Sequence, residues 1–329
     1  MAASTTTVPN AGPATGSRSF FSRLRNGDEI ARLITFLFAA TVVLITVLLV
    51  LQLWHDSALP RHKFGLNFFA TRVWDPITEE FGALPFIYGT LVTAGVALLI
   101  AVPLGLGAAI FLAELAPQKI SDTLQFFIDL LAAVPSVIYG LLGVFIVIPL
   151  MREYIQPALK STLGFLPLFQ GPAYGVGFFT AGIVLSIMVI PYIISVSREV
   201  LLSVPRDQRE AALALGSTRW ESTWKVVVPF ARTGIMGSVF LALARALGET
   251  MAVTMVIGNT PTINASLFSP GYSIAAVIAN EFTEATGEIY LQSLIELGLV
   301  LFLITFILNG LARLLLVVTT QKGSGMGHV

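Results

Sequence analysis

The chain is 329 residues long, 55% hydrophobic and only 12% charged, with a formal net charge of zero. That charged share is about half the roughly 25% of a soluble domain, so a water-soluble fold would carry more apolar surface than it could hide. The zero balance gives no global attraction to nucleic acid. There is no cysteine, which excludes disulfides, thiolate zinc sites and cysteine nucleophiles, and His55, His62 and His328 all lie outside the long apolar runs, so no metal site is expected.

Residues 1–28 open the chain as a Thr-, Pro-, Ala- and Gly-rich stretch through Ser17 and are expected to form a disordered cytoplasmic tail. The first apolar segment, 29–56, reads as a retained transmembrane helix. Its run 33–55 has no formal charge and is longer than a signal h-region, and Trp54-His55-Asp56 makes a poor cleavage site. Residues 57–85 follow as an extracytoplasmic loop. Six spans are predicted in all, at about 30–54, 86–112, 123–150, 176–196, 235–257 and 291–318, each near the twenty residues that cross roughly 30 Å of hydrocarbon. Pro103, Pro135 and Pro191 fall inside spans two, three and four, where each removes a backbone hydrogen bond and permits a kink.

Lys and Arg set the orientation. Arg18, Arg23, Arg25 and Arg32 precede or open the first span, Lys119 follows the second, and Arg198, Arg206, Arg209, Arg219, Lys225 and Arg232 crowd the segment between spans four and five, with Arg313 and Lys322 at the end. The other side holds fewer: Arg61, Lys63, Arg72, Arg152 and Lys160. The positive-inside rule then places both termini in the cytoplasm, the last 319–329 as a tail.

The cytoplasmic segment 203–229 predicts a helix, a tight turn and a second helix. Pro205 suits a first helical turn, with Asp207 and Glu210 favouring its positive end. Gly216 suits a left-handed stop, and Thr218 with Glu221 three residues on predicts a capping box. Trp220, Trp224, Val227 and Val228 share one face at three- and four-residue spacing, so a partner is expected to cover them. No Gly-Lys-Ser/Thr occurs, since Lys63, Lys119, Lys160, Lys225 and Lys322 all follow residues other than Gly. The chain therefore has no P-loop, no catalytic residue is assigned, and any ATP would be used elsewhere.

Span five carries Arg245 and Glu249. Counted from about residue 235, Arg245 would lie roughly 15 Å deep, near the bilayer centre, where an Arg costs about 2.5–3.5 kcal/mol on insertion scales. Glu249, four residues on, would share its face. Two readings stay open: a guanidinium that meets an anion as it crosses, with Glu249 holding it in the empty state, or a structural ion pair to a neighbouring helix. Thr250 and Thr254 add hydroxyls whose ordinary role is to bond the helix backbone. Asp129, about two turns into span three, and Glu296, near the outer end of span six, are weaker candidates that could instead cap, pair or snorkel.

The 203–229 loop resembles the Glu-Ala-Ala coupling loop of ABC importer permeases. The family pattern is Glu-Ala-Ala, three residues, Gly, nine residues, then Ile-x-Leu-Pro. Here Glu210, Ala211, Ala212, Gly216 and Pro229 stand at those spacings, with Val226-Val227-Val228 replacing Ile-x-Leu. Ala244-Arg-Ala-Leu-Gly-Glu-Thr-Met-Ala-Val253, Asp129-Leu-Leu-Ala-Ala-Val-Pro-Ser-Val-Ile-Tyr-Gly140, Ile190-Pro-Tyr192, Ile257-Gly-Asn-Thr260 and Ala279-Asn-Glu-Phe282 are similar to the C-type subunit of phosphate-specific ABC permeases, over residues 75 to 318. The resemblance implies an all-α membrane protein of the MetI-like, type I importer class, with a permease domain at 86–318 formed by spans two to six and the first span as an added arm. It also implies a homologous A-type second permease, two ATPase subunits that carry ATP and Mg while this chain carries no cofactor, an extracytoplasmic phosphate-binding protein, and a place in the bacterial cytoplasmic membrane. An ion-coupled transporter or channel would ask for inverted repeats or midplane acids, and a membrane scaffold would not explain a central Arg beside a spaced loop.

Overall fold

The structure, a computed structural model, describes residues 28–324. The predicted N-terminal tail through residue 27, and residues 325–329 of the C-terminal one, lie outside the described residues. Two compact units divide the chain, 1–52 and 53–329. Helix α1 (Asp28–Asp56), whose first 25 residues are the described part of the first unit, is apolar along its length and long enough to cross a bilayer over Ala31–Asp56. A helix with no polar face is stable only where lipid or protein replaces water on every side.

The second unit begins with two short helices, α2 (Ala58–Phe64) and α3 (Asn67–Ala70), and a hairpin in which β1 (Trp74–Asp75) pairs antiparallel with β2 (Glu80–Phe81). The turn is tied by Asp75, whose carboxylate accepts from the Ile77 N–H and the Thr78 hydroxyl, both at 2.9 Å. The expected loop 57–85 is thus an ordered cap. Phe68, Phe81 and Phe86 are buried in it. Trp74 Nε1 and the Tyr290 hydroxyl both donate to Glu281 Oε2, at 2.8 and 2.7 Å.

Helix α4 (Leu84–Ile110) starts with Pro85 in its first turn, where the missing N–H costs nothing. It continues through a π turn to Leu115 as a spanning helix. Ala94, Ala97, Ala101 and Gly105 recur at three- and four-residue spacing and are buried. They meet α7 (Phe178–Leu202), the most buried span. A Cβ on Gly105 would sit 2.8 Å from Ile193 Cγ2, and one on Gly182 would sit 2.4 Å from Val96 Cγ1. Small residues let these two backbones approach, which is how helices gain dispersion contacts when lipid offers no hydrophobic incentive.

The expected third span, 123–150, is broken. Helix α5 (Gln118–Ala132) ends before Pro135, and the spanning helix is α6, Ser136–Leu163. Pro135 biases the residue before it away from helix, so it starts a helix instead of kinking one. Asp129 accordingly lies in α5, not two turns into a span. Pro103 and Pro191, by contrast, remain inside continuous helices.

After α7 come α8 (Arg206–Ala214) and the long helix α9, which spans Arg219–Leu247. A π turn over Thr223–Val227 precedes Pro229 and absorbs the hydrogen bond that the proline cannot make. The expected fifth span, 235–257, is therefore displaced. Its helix begins on the loop side at Arg219 and stops at Leu247, and after Gly248–Thr250 a short helix α10 (Met251–Val256) follows. The chain returns through α11 (Ile274–Glu281) to α12 (Glu288–Ser324), whose apolar part Glu288–Leu314 is the sixth span.

Candidate functional site

At the 203–229 elbow, α8 ends as the sequence predicts. Gly216 has φ +86° and no heavy atom near a would-be Cβ, so the backbone conformation alone demands glycine there. The Ser217 N–H reaches back to the Ala212 carbonyl at 3.2 Å, closing the helix end. Thr218 then caps α9: its Oγ1 accepts from the Glu221 N–H at 3.2 Å while Glu221 Oε2 accepts from the Thr218 N–H at 3.0 Å. Glu210 and Ala211 are exposed, and Ala212 is buried against the body. Leu215 is 90% exposed beside exposed Leu213, an apolar tip that none of the described residues covers.

The body side of the elbow is pinned by a pair that the sequence alone did not single out. Arg209 Nη2 donates to Glu114 Oε1 at 2.7 Å and to the Leu201 carbonyl at 2.7 Å, and Nε reaches both carboxylate oxygens at 3.2 Å. Glu114 sits in the π turn that ends α4, so a forked hydrogen-bonded ion pair joins α8 to the span that packs most tightly on α7. Its one sequence signal is a lone acid at the end of an apolar run. Trp220 and Trp224 stand edge-to-face at 5.6 Å and border an apolar groove of about 460 Å³ against Pro103, Leu106 and Phe111 of the α4 run.

Arg245 lies in the last turn of α9, yet opposite the middle of α7, because α9 starts so far back. Its guanidinium carbon is 5.2 Å from the centre of the Tyr192 ring, within cation–π range. Tyr192 has roughly 21 Å of α7 on one side and roughly 15 Å on the other at 1.5 Å per residue. Arg245 Nε is buried with no hydrogen-bond acceptor. A cation at a helix C-terminus is favoured by the macrodipole, but a buried N–H without an acceptor costs about 1–3 kcal/mol.

Glu249 is not on the same helix face, since α9 has already ended. Among the described residues no ion pair joins it to Arg245. Its Oε1 instead accepts from the Ala252 N–H at 3.2 Å and secures the first turn of α10. Thr250 bonds the Gly248 carbonyl at 3.3 Å, and Thr254 bonds the Thr250 carbonyl at 2.7 Å, the ordinary backbone role. Asp129 Oδ1 accepts from Ser195 Oγ and Gln125 Nε2, both at 2.7 Å. Glu296 is buried in α12 with Oε2 unbonded. Among the described residues no group of three His, Cys, Asp or Glu could hold a metal ion.

The profile of binding-protein-dependent transport system inner membrane components matches residues 101–316. The chain belongs to this family. Its relatives bear out the resemblance read from the motifs. The chain is 47% identical over 84% of its length to the phosphate transport system permease protein PstC of Mesorhizobium japonicum, covering 87% of that protein. It is 44% identical over 96% of its length to the PstC of Xylella fastidiosa, covering 98% of it. Among solved structures, a bacterial ABC transporter involved in the import of the acidic polysaccharide alginate superposes with a TM-score of 0.51 at 17% identity, over 88% of this chain and 98% of that one. At that identity the likeness speaks for the fold. The chain is a multi-pass transmembrane transport component with six helices long and apolar enough to cross a membrane.

Proposed function

We propose that this chain is one of two pore-forming subunits of an ATP-driven importer of inorganic phosphate, and that Arg245 is the cationic point on the anion's path. The observation that carries this reading is the guanidinium opposite the middle of α7 with a buried Nε–H and no acceptor, in a chain whose full-length relatives are phosphate permeases. A planar guanidinium offers forked donors that match phosphate oxygens. The aromatic face of Tyr192 holds it without neutralising it, as a carboxylate would. A single cation with no cage of donors binds weakly, which suits a conduit that must release what it admits. Thr250, beside the helix break, offers a further hydroxyl.

Both termini and the elbow face the cytoplasm of a bacterium in this reading. The partners are a homologous A-type permease, two ATPase subunits that hold ATP and Mg, and an extracytoplasmic phosphate-binding protein. Glu210, Ala211 and the apolar tip at Leu215 meet the ATPase, Gly216 sets the angle of the elbow, and Pro229 starts the climb of α9. Arg209 and Glu114 pass the movement to α4. The decisive experiment is Arg245→Gln in the assembled complex. Radiolabelled phosphate uptake should fall at least a hundredfold with assembly intact, while excess sulfate should not compete in the unaltered complex. Normal uptake by the variant would remove Arg245 from the path, and full competition by sulfate would change the substrate.

A further inference from the structure

Two polar stripes face each other where α5 packs on α7. On α5, Asp122, Gln125 and Asp129 recur at three- and four-residue spacing. On α7, Tyr192, Ser195 and Arg198 recur every three. The stripes meet residue by residue: Arg198 Nη2 donates to Ser121 Oγ at 3.0 Å and to Asp122 Oδ1 at 3.3 Å, Gln125 Nε2 donates to Ser195 Oγ at 2.9 Å, and Ser195 Oγ donates to Asp129 Oδ1 at 2.7 Å. Arg245 lies over Tyr192, the far end of the same α7 stripe. Ser195 is three residues on, roughly 4.5 Å along the axis, toward the elbow. Asp129 is exposed, and Gln125 Oε1 is buried without a donor.

Asp129, on a helix that is not one of the six spans, is held by the spanning α7 through Ser195. Polar ties between helices that serve stability alone need no row that leads away from a cation. The donor just beyond Tyr192 on α7, the Ser195 hydroxyl, is the one a phosphate oxygen would bond next. In this structure Asp129 occupies it. Opening α5 from α7 would free the Ser195 hydroxyl and part Arg198 from Ser121 and Asp122, and closing would return Asp129 and expel an anion by competition and by charge. We infer that the α5–α7 polar seam is the cytoplasmic gate of the path, and that Asp129 is its positioning residue, an internal stand-in for the anion. The inference rests on the reading that Arg245 meets the anion, and it assigns α5, α7 and the end of α9 to the wall of the path.

The chain has no cysteine, so a pair can be introduced cleanly. In the full complex in proteoliposomes, Gln125→Cys with Ser195→Cys should cross-link with a short bifunctional methanethiosulfonate, whose arm replaces the length of the Gln125 side chain. Phosphate uptake should then fall at least tenfold, and dithiothreitol should restore it. A pair that never cross-links overturns the seam, and a cross-linked complex that transports within twofold of the reduced one overturns the gate. If the reduced pair itself is inactive, Asp129→Asn decides. The amide still accepts from Ser195 but has no charge, so efflux from phosphate-loaded vesicles without ATP should rise at least fivefold. Unchanged efflux overturns the role of Asp129. Arg245→Gln separates the two readings: normal uptake in that variant sinks the path assignment itself, whereas its loss beside a freely transporting cross-linked complex sinks only the gate.

Discussion

Arg209 carries more of the elbow than any other side chain. Its guanidinium bonds the Glu114 carboxylate and the Leu201 and Val204 carbonyls, so helix α8, the end of α4 and the end of α7 share one cation. Glu114 is 9% exposed and Arg209 20%, so removal of either leaves a largely desolvated charge without its counterpart. Glu114→Gln should therefore cost about 3 kcal/mol, read as a lower melting temperature of the detergent-solubilised complex. It should also lower uptake per ATP hydrolysed, because α8 would then move without α4. A variant with unchanged stability and coupling would show that the pair is ornamental. Glu114 was legible only as an acid at the end of an apolar run; its partner is ninety-five positions away in the chain, and no local rule connects them.

Among the elements, the glycines at close approaches decide how spans pack. Gly105 on α4 faces Ile193 on α7, where an added methyl group would meet Cβ at 2.9 Å as well as Cγ2 at 2.8 Å. The β-branched side chain cannot swing away, so Gly105→Ala should cost about 1–3 kcal/mol by overpacking, seen as an earlier thermal transition. Gly216 fails differently. Nothing lies near it, but its φ of +86° is costly for a β-branched residue. Gly216→Val should leave the membrane bundle folded while the elbow loses its shape, so that phosphate no longer stimulates ATP turnover. Stimulation at the normal level would remove the elbow from the coupling path. This turn was fully readable from sequence, because a capping box and a left-handed stop are local events. The break at Gly248 was not, since that stretch is apolar enough to continue as a helix, and the sequence placed Glu249 on the face of Arg245 for that reason.

At the scale of the molecule, the bundle has distinct ends. One end is the aromatic cap, where Tyr272 is buried in one cluster with Phe86 and Ile274, and burial pushes its hydroxyl up to about 12. A tyrosine whose folded pKa is raised keeps its full contribution to stability below pH 10, the value of the exposed group, and loses it as pH rises toward 12. Alkaline titration of the solubilised protein should therefore loosen the cap between pH 10 and 12, and Tyr272→Phe should blunt that step. Titration at the ordinary tyrosine value would place Tyr272 in water. The other end is the cationic elbow. A single cysteine at Ser217 should react with an impermeant maleimide only from the cytoplasmic side, and one at Ser161 only from outside. The reverse pattern would invert the proposed orientation.

The sequence by itself determined the solvent, the number of spans, the elbow and the family, because each rests on local or compositional signals: apolar run length, caps and motif spacing. Only the tertiary structure decided where the third and fifth spans begin and end, that Glu249 caps a short helix instead of pairing with Arg245, and that Asp129 closes a seam against Ser195. The physical reason is that lipid accepts almost any apolar helix, so hydropathy says that a segment crosses but not which turns of it face another chain segment. In a medium that exerts no hydrophobic force between helices, those choices fall to small residues that permit contact and to polar groups that must find one another, and their partners are distant in sequence.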